Sequence, residues 1–203
     1  MIHLVSGDLL DSPTGLLVLP VDGDGPEAWR AALGPAYETA RTDAVAAKRP
    51  AMLIRPDGSR VLVVRLGDEP GLERWRWAAA AAARQADSLD LDRAVLALPP
   101  GESADVAAAL VEGFLLGGYR FDACRSEDPQ DPVALGLWAE TPSDGLTAAV
   151  GRAAVRAEAT AWCRDLVNLP PDAKMPAALA DLVSEVAEDA GVRCEVWDKD
   201  RIE

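Results

Sequence analysis

Short apolar runs alternate with longer segments of helical periodicity along most of this chain, and that alternation most constrains its fold. Seven runs predict β-strands, at residues 2–5, 16–21, 52–54, 60–66, 94–98, 133–139 and 192–197. Strands that alternate with crossover helices build a parallel or mixed sheet covered by helices. The sequence therefore predicts an α/β fold with a mixed sheet flanked by helices.

Five helical segments lie between or after these runs. Residues 72–89 show the clearest pattern, because their apolar positions recur at intervals of three and four. The other helices are predicted at residues 28–47 with a break at Gly34-Pro35, after a capping Ser103, at residues 146–167 and at residues 177–190.

Turn residues mark where these elements end. Gly7-Asp8 and Ser12-Pro13-Thr14-Gly15 separate the first two strands, and Asp57-Gly58 favours a hairpin between the next two. Gly117-Gly118 is predicted to end or loosen the helix that begins after Ser103, and Gly191 is predicted to end the last helix.

The stretch NLPPDAKMP, residues 168–176, separates the last two predicted helices. Pro170 and Pro171 stop one helix, and Pro176 occupies the first position of the next. A single helix and strand, residues 177–197, follow this junction. A lone helix and strand bury little apolar surface, so we expect this unit to be the least protected part of the chain.

Composition and charge exclude several classes of protein. About half of the 203 residues are hydrophobic, which is ordinary for a globular protein. The net charge of −14 opposes binding to nucleic acid. The longest uncharged apolar run, residues 77–83, is too short to span a bilayer, and residues 1–5 do not resemble a signal peptide. We therefore expect a cytoplasmic protein with no nucleic-acid or membrane partner.

Candidate metal ligands are few and scattered. His3 is the sole histidine, and Asp8, Asp11, Asp22 and Asp24 lie on two predicted loops that lack the closing glutamate of a calcium loop. These carboxylates are interpreted as solvated turns. The cysteines Cys124, Cys163 and Cys194 are widely spaced, so partly buried free thiols are expected rather than a disulfide or zinc site.

Nucleophilic and phosphate-binding motifs are missing as well. Ser6, Ser12 and Ser103 lie outside a G-x-S-x-G context, and His3 alone could serve as an imidazole base. The glycine-rich residues 22–25 are acidic and lack the lysine of a phosphate loop. No residue is therefore assigned a catalytic, cofactor-binding or metal-binding role.

Two tryptophans lie close together on the helix predicted at residues 72–89. Trp75 falls on the apolar stripe of this helix, whereas Trp77 points about 200° away at the ~100° per residue of an α-helix. Trp75 is predicted to be core and Trp77 to pack at the surface or an interface, in preference to a stacking platform.

Three stretches resemble one known family. EGFLLGGYRF at residues 112–121, RDLVNLPP at residues 164–171 and PAALA at residues 176–180 are similar to motifs of the leucyl aminopeptidases, which are hexameric two-metal exopeptidases. Leu169 and Met175 depart from the family pattern, because threonine usually occupies both positions. Met175 also lacks the side-chain acceptor of a good helix cap, a loss of about 1 kcal/mol.

This resemblance implies a domain order. Residues 1–145 would form an N-terminal, three-layer macrodomain-like domain, residues 146–167 a linking helix, and residues 168–203 the junction and first helix and strand of the catalytic domain. Two divalent metals (zinc, manganese or magnesium) would bind to lysine, aspartate and glutamate motifs that this sequence does not contain. The chain would then be a non-catalytic portion of a metallopeptidase that removes N-terminal residues from peptides, and would serve assembly and active-site access.

An alternative is a stand-alone macrodomain-like module for interaction or ligand binding, without peptidase activity. The opening Val5-Ser6-Gly7-Asp8-Leu9 is similar to that of macrodomains, but the next strand ends in the acidic residues 20–24, which contain no asparagine. Residues 99–102, PPGE, replace a glycine-rich diphosphate loop. Negative side chains near a diphosphate disfavour ADP-ribose binding.

Overall fold

The computed structural model describes residues 2–11, 15–67, 71–124 and 131–202. It contains two compact units, one formed by Met1–Arg120 with Arg125–Ala161 and the other by Phe121–Cys124 with Trp162–Glu203. The predicted division at residues 1–145, 146–167 and 168–203 stays a prediction. The turn residues Ser12, Pro13 and Thr14 lie outside the described residues.

The first unit contains the sheet and most of the helices. Its strands are β1 (Ile2–Val5), β2 (Leu16–Val21), β3 (Ala51–Ile54), β4 (Arg60–Arg65), β5 (Arg93–Ala97) and β6 (Ala134–Trp138). Its helices are α1 (Glu27–Leu33), α2 (Pro35–Ala47), α3 (Leu72–Ser88), α4 (Ala104–Gly117) and the first part of α5 (Asp144–Asn168).

The six strands form one mixed sheet in the order β1-β6-β5-β2-β4-β3. All neighbours are parallel except β3, which runs antiparallel to β4 through the predicted hairpin. In that hairpin the Asp57 carboxylate accepts a hydrogen bond from the Ser59 amide at 2.9 Å. The predicted α/β fold is confirmed.

Alternate residues of the strands face two different helical layers. Leu16 and Val18 of β2 belong to the core that includes α3, α4 and α5. Leu17 and Leu19 belong to a second core, with Trp29 of α1 and residues of α2. Strands buried on both faces read as continuous apolar runs, which is why β2 and β4 are evident in the sequence. The result is three layers.

Helix ends follow the predicted signals. The Ser103 hydroxyl accepts a hydrogen bond from the Val106 amide at 3.3 Å and begins α4, while Gly118 ends it. Gly34, at a φ of 59°, separates α1 from α2. Among the described residues, no helix is long and apolar enough to cross a membrane.

The second unit differs from prediction in one element. It contains the end of α5, a 3-10 turn (Pro171–Lys174), α6 (Pro176–Asp189) and α7 (Lys199–Ile202). Gly191, at a φ of 65°, follows α6 as predicted. The strand predicted at residues 192–197 is wrong: this segment is exposed and forms no ladder with the described strands. A strand needs a partner for its backbone groups, and an apolar pattern alone does not supply one.

The three cysteines also differ from prediction. Cys124, Cys163 and Cys194 are all free, as expected, but each is exposed rather than partly buried. Cys194 belongs to the segment that forms no strand, so no sheet covers it. Its thiol lies 3.8 Å from the Ser184 hydroxyl.

Candidate functional site

Glu112 on α4 is a charged side chain in the interior of the first unit, with 8% of its surface exposed. Its Oε2 accepts a hydrogen bond from Nε of Arg76 on α3 at 2.8 Å, and its Oε1 accepts one from Nε of Arg156 on α5 at 2.7 Å. One carboxylate therefore joins three helices. Arg76 pairs in addition with Glu73, one turn earlier on α3.

The surroundings of Glu112 decide its charge. Burial by itself would raise the pKa of this carboxyl, but the hydrogen bonds from Arg76 and then Arg156 outweigh it and hold the pKa below its ordinary value. Glu112 is consequently ionised at neutral pH. It serves as a fixed ionic clamp and is poorly suited to exchange protons as an acid or base.

Gly113 and Gly117 let α3 and α4 pack closely beside this clamp. A Cβ atom on Gly113 would overlap the backbone of Arg76, and one on Gly117 would overlap Ala80. The segment EGFLLG, residues 112–117, resembles a family motif in the sequence, and these contacts explain why its glutamate and glycines are needed. Glu112 binds Arg76 and Arg156, and Gly113 and Gly117 leave room for α3 to pack against α4.

The aspartates of the two acidic loops take part in local structure. Asp8 accepts a hydrogen bond from the Leu10 amide at 2.9 Å. Asp24 pairs with Arg41 at 3.1 Å, and its carbonyl oxygen accepts a hydrogen bond from the Tyr37 hydroxyl at 3.2 Å. Asp22 is exposed, and the side chain of Asp11 lies outside the described part of the structure.

The described residues contain no group of three or more histidine, cysteine, aspartate or glutamate side chains that could hold a metal ion. His3 and Ser6 are exposed, and Ser103 is occupied as a helix cap. Ser12 lies outside the described residues. The structure does not bring these candidate side chains together into one site.

The two tryptophans of α3 lie as predicted. Trp75 is 3% exposed and packs in the core, whereas Trp77 is 39% exposed. The guanidinium of Arg74 lies 5.5 Å from the centre of the Trp77 ring, in cation–π range. Trp77 is therefore a surface residue with a local partner.

A cleft lies at the carboxyl edge of the parallel strands, where α/β proteins commonly bind ligands. Residues from the ends of β1, β2 and β6 line it together with α1, and its volume is about 260 Å³. Sequence reasoning missed this cleft, because its lining residues come from distant parts of the chain.

The junction forms a compact turn in the second unit. Lys174 donates a hydrogen bond through Nζ to the Val167 carbonyl oxygen at 2.7 Å, which links the turn to the end of α5. Met175 precedes Pro176 and offers no side-chain cap to α6, as predicted. Beyond it, α6 exposes Leu179, Val183 and Val186 at helical spacing. This apolar face is exposed in the described structure.

Comparison with known proteins gives consistent matches. Residues 46–128 match the model of the cytosol aminopeptidase family, N-terminal domain. The probable cytosol aminopeptidase of Roseiflexus castenholzii is 33% identical over 200 residues, which cover 92% of this chain and 40% of that protein. The probable cytosol aminopeptidase of Leifsonia xyli is 38% identical over 148 residues, which cover 71% of this chain and 29% of that protein.

Solved structures of similar proteins match this chain as well. A tomato leucine aminopeptidase mutant superposes with a TM-score of 0.83 over 99% of this chain and 45% of its own, and at 18% identity it shows the fold alone. The bottromycin maturation enzyme BotP, in complex with Mn, is 30% identical, with a TM-score of 0.70 over 93% of this chain and 39% of its own. The chain thus spans less than half the length of these relatives. Residues 46–128 thus form the N-terminal domain of the cytosol (leucyl) aminopeptidase family, and the chain corresponds to the N-terminal portion of the relatives that it matches.

Proposed function

We propose that this chain is the non-catalytic N-terminal portion of a metal-dependent aminopeptidase that removes N-terminal residues from peptides. The observation that carries the proposal is the extent of the matches. They include the family's N-terminal domain, and they span only 29% to 40% of the two cytosol aminopeptidases compared above. In this proposal the chemistry resides in the remaining length of the protein.

The same proposal includes metal ions bound by the whole aminopeptidase of which this chain would be a portion. Two divalent ions (manganese, zinc or magnesium) in a hydrolase activate water and stabilise developing negative charge. The complex of BotP with Mn supports metal use by a relative. The described residues of this chain provide no matching set of ligands, so no step of that chemistry is assigned to them.

The role proposed for this portion is assembly and control of access to the active site. The Glu112 clamp supports it, because Arg156 fastens the first part of α5 to α3 and α4. A rigid first unit could then present fixed surfaces to other subunits. Self-association, with a hexamer for the whole protein, and a cytoplasmic location complete the proposal. The word cytosol in the names of the relatives supports that location.

The nucleotide sequence after the codon for Glu203 tests this proposal directly. A reading frame that continues into segments rich in lysine, aspartate and glutamate ligands supports the aminopeptidase. A stop codon at that point supports the alternative, a stand-alone module. Sedimentation equilibrium then tests assembly, because a whole protein that remains monomeric at micromolar concentration would contradict the assembly role.

A further inference from the structure

The cleft at the carboxyl edge of the sheet, called here the carboxyl-edge cleft, has mainly apolar walls. Leu9, Leu19, Trp29, Leu33 and Trp138 line it. Trp29 and Trp138 are 4% and 7% exposed, so each indole is held rigidly by its surroundings. The indole N–H of Trp138 donates to the Gly7 carbonyl oxygen at 3.0 Å and is therefore already occupied. Apolar surface is what remains for a ligand to contact.

Two carboxylates, Asp8 and Glu140, also line the carboxyl-edge cleft, and its described lining contains no lysine, arginine or histidine. Arg55 donates to the Leu10 carbonyl oxygen at 3.0 Å, but Arg55 is itself paired with Asp57 at 3.5 Å. The net charge of −14 adds to the local negative field. Such a cleft attracts cations and repels phosphates and carboxylates.

The size of the cleft limits its ligand. Pockets for drug-sized molecules measure about 300–1,000 Å³, so the volume of about 260 Å³ suits a smaller group. We propose that the carboxyl-edge cleft binds a hydrophobic ammonium. Its ligand would be an apolar group the size of one amino-acid side chain, with a primary ammonium and no adjacent carboxylate. The inference goes beyond the proposed function and does not rest on it.

Three probes of similar shape and different charge test the proposal. Phenethylamine is a cation, 2-phenylethanol is neutral and 3-phenylpropanoate is an anion. Each is titrated into the 203-residue chain while the indole N–H resonances of Trp29 and Trp138 are followed by NMR. The amine is expected to shift both resonances, with a dissociation constant on the order of millimolar. The alcohol should bind several-fold more weakly, and the anion should not bind.

Variants locate the binding. Ala32 lines the cleft from an exposed position on α1, and Ala32→Phe should abolish binding by filling its mouth. Ala31→Phe is the matched control, because Ala31 is exposed on the same helix and is outside the lining. Asp8→Asn and Glu140→Gln should each weaken amine binding about two- to fivefold. The asparagine retains an acceptor for the Leu10 amide and so preserves the loop.

A final titration distinguishes two classes of hydrophobic ammonium ligand, peptide N-termini and simple amines. Phenylalaninamide resembles the N-terminus of a peptide, whereas phenethylamine resembles a free amine. Tighter binding of the amide would identify peptide N-termini as the ligand, and tighter binding of the amine would identify simple amines. Equal or tighter binding of the alcohol or the anion would overturn the proposal, as would the absence of any shift at Trp29 and Trp138.

Discussion

Gly113 of α4 lies against the backbone of Arg76 on α3, so closely that a Cβ atom at position 113 would overlap the Arg76 carbonyl oxygen. The neighbouring Glu112 binds the side chain of the same arginine. Backbone contact and ion pair thus act on one residue of α3. This arrangement fixes both the distance and the register of the two helices.

Gly113→Ala should therefore destabilise the chain by about 1–3 kcal/mol, because the helices must move apart to admit a methyl group. Urea unfolding followed by circular dichroism measures this change. Gly151→Ala on α5 is the matched control, since a Cβ there meets no atom within 4 Å. That variant should be stabilised by about 0.5–1 kcal/mol through helix propensity. Equal stability for the two alanine variants would contradict the close packing.

Glu112→Gln should lower the free energy of unfolding by about 1–2 kcal/mol at pH 7, because two charge-assisted hydrogen bonds lose their charge. Arg76 and Arg156 both reach solvent, which moderates the cost. The folded-state pKa of Glu112 is lowered. Its stabilisation is therefore present above the unfolded pKa of about 4.3 and is lost as pH falls through the lower folded value.

The measurement is urea unfolding of both proteins between pH 7 and pH 3. The difference in stability should be largest above about pH 5 and should shrink towards zero on acidification. Glu158→Gln, at an exposed position of the same α5 helix that carries Arg156, serves as the control and should change little. A difference that grows as the pH falls would refute the clamp.

Tyr37 gives the opposite pH dependence. Burial raises the pKa of its phenol to about 12, although nearby Arg41 lowers it in part. A raised folded-state pKa stabilises the protein below the unfolded pKa of about 10, and that stabilisation is lost as pH rises through about 12. Wild-type protein should lose stability in this window, and Tyr37→Phe should lack this contribution.

Absorbance at 295 nm provides the check. The chain has two tyrosines, so Tyr37→Phe should remove one component of the titration, the one near pH 12. At pH 8 the same variant should be about 1 kcal/mol less stable, because the hydrogen bond to the Asp24 carbonyl oxygen is lost. A variant that loses a component near pH 10 would show that Tyr37 is solvated.

Native-state hydrogen exchange should be faster in α6 than in β4. The apolar face of α6 is exposed, whereas Val61–Val64 are almost fully buried in the sheet. Met175→Thr should slow exchange in α6 about fivefold, because threonine can cap the helix, a gain of about 1 kcal/mol. Met52→Thr on β3 is a control that should leave α6 unchanged. Protection in α6 as strong as in β4 would contradict this account.

Much of the first unit could be predicted because its elements carry local signals. The continuous apolar runs of β2 and β4 indicate strands buried on both faces, and Ser103 marks the start of α4. Trp75 follows the three-four periodicity and is buried. In each case, the element or the burial of the side chain follows from residues that are close together in sequence.

The features that could not be predicted from the sequence depend on contacts between residues that are distant along the chain. Residues 192–197 have a strand-like composition, but the described residues offer them no neighbouring strand. Gly113 and Arg76 are remote in sequence, so the motif containing Glu112 could be matched to a family but its contacts could not be inferred. The carboxyl-edge cleft likewise combines the Gly7-Asp8 turn, Trp29 and Trp138.

A peptidase assay on the purified 203-residue chain, with leucine p-nitroanilide and added Mn²⁺, tests whether this portion lacks catalytic activity. We expect no release of p-nitroaniline above the buffer rate, because the chain is proposed to be the non-catalytic N-terminal portion of an aminopeptidase and its described residues contain no group of side chains that could hold a metal ion. Release that scales with protein concentration, co-elutes with the chain on size exclusion and stops on chelation would contradict it.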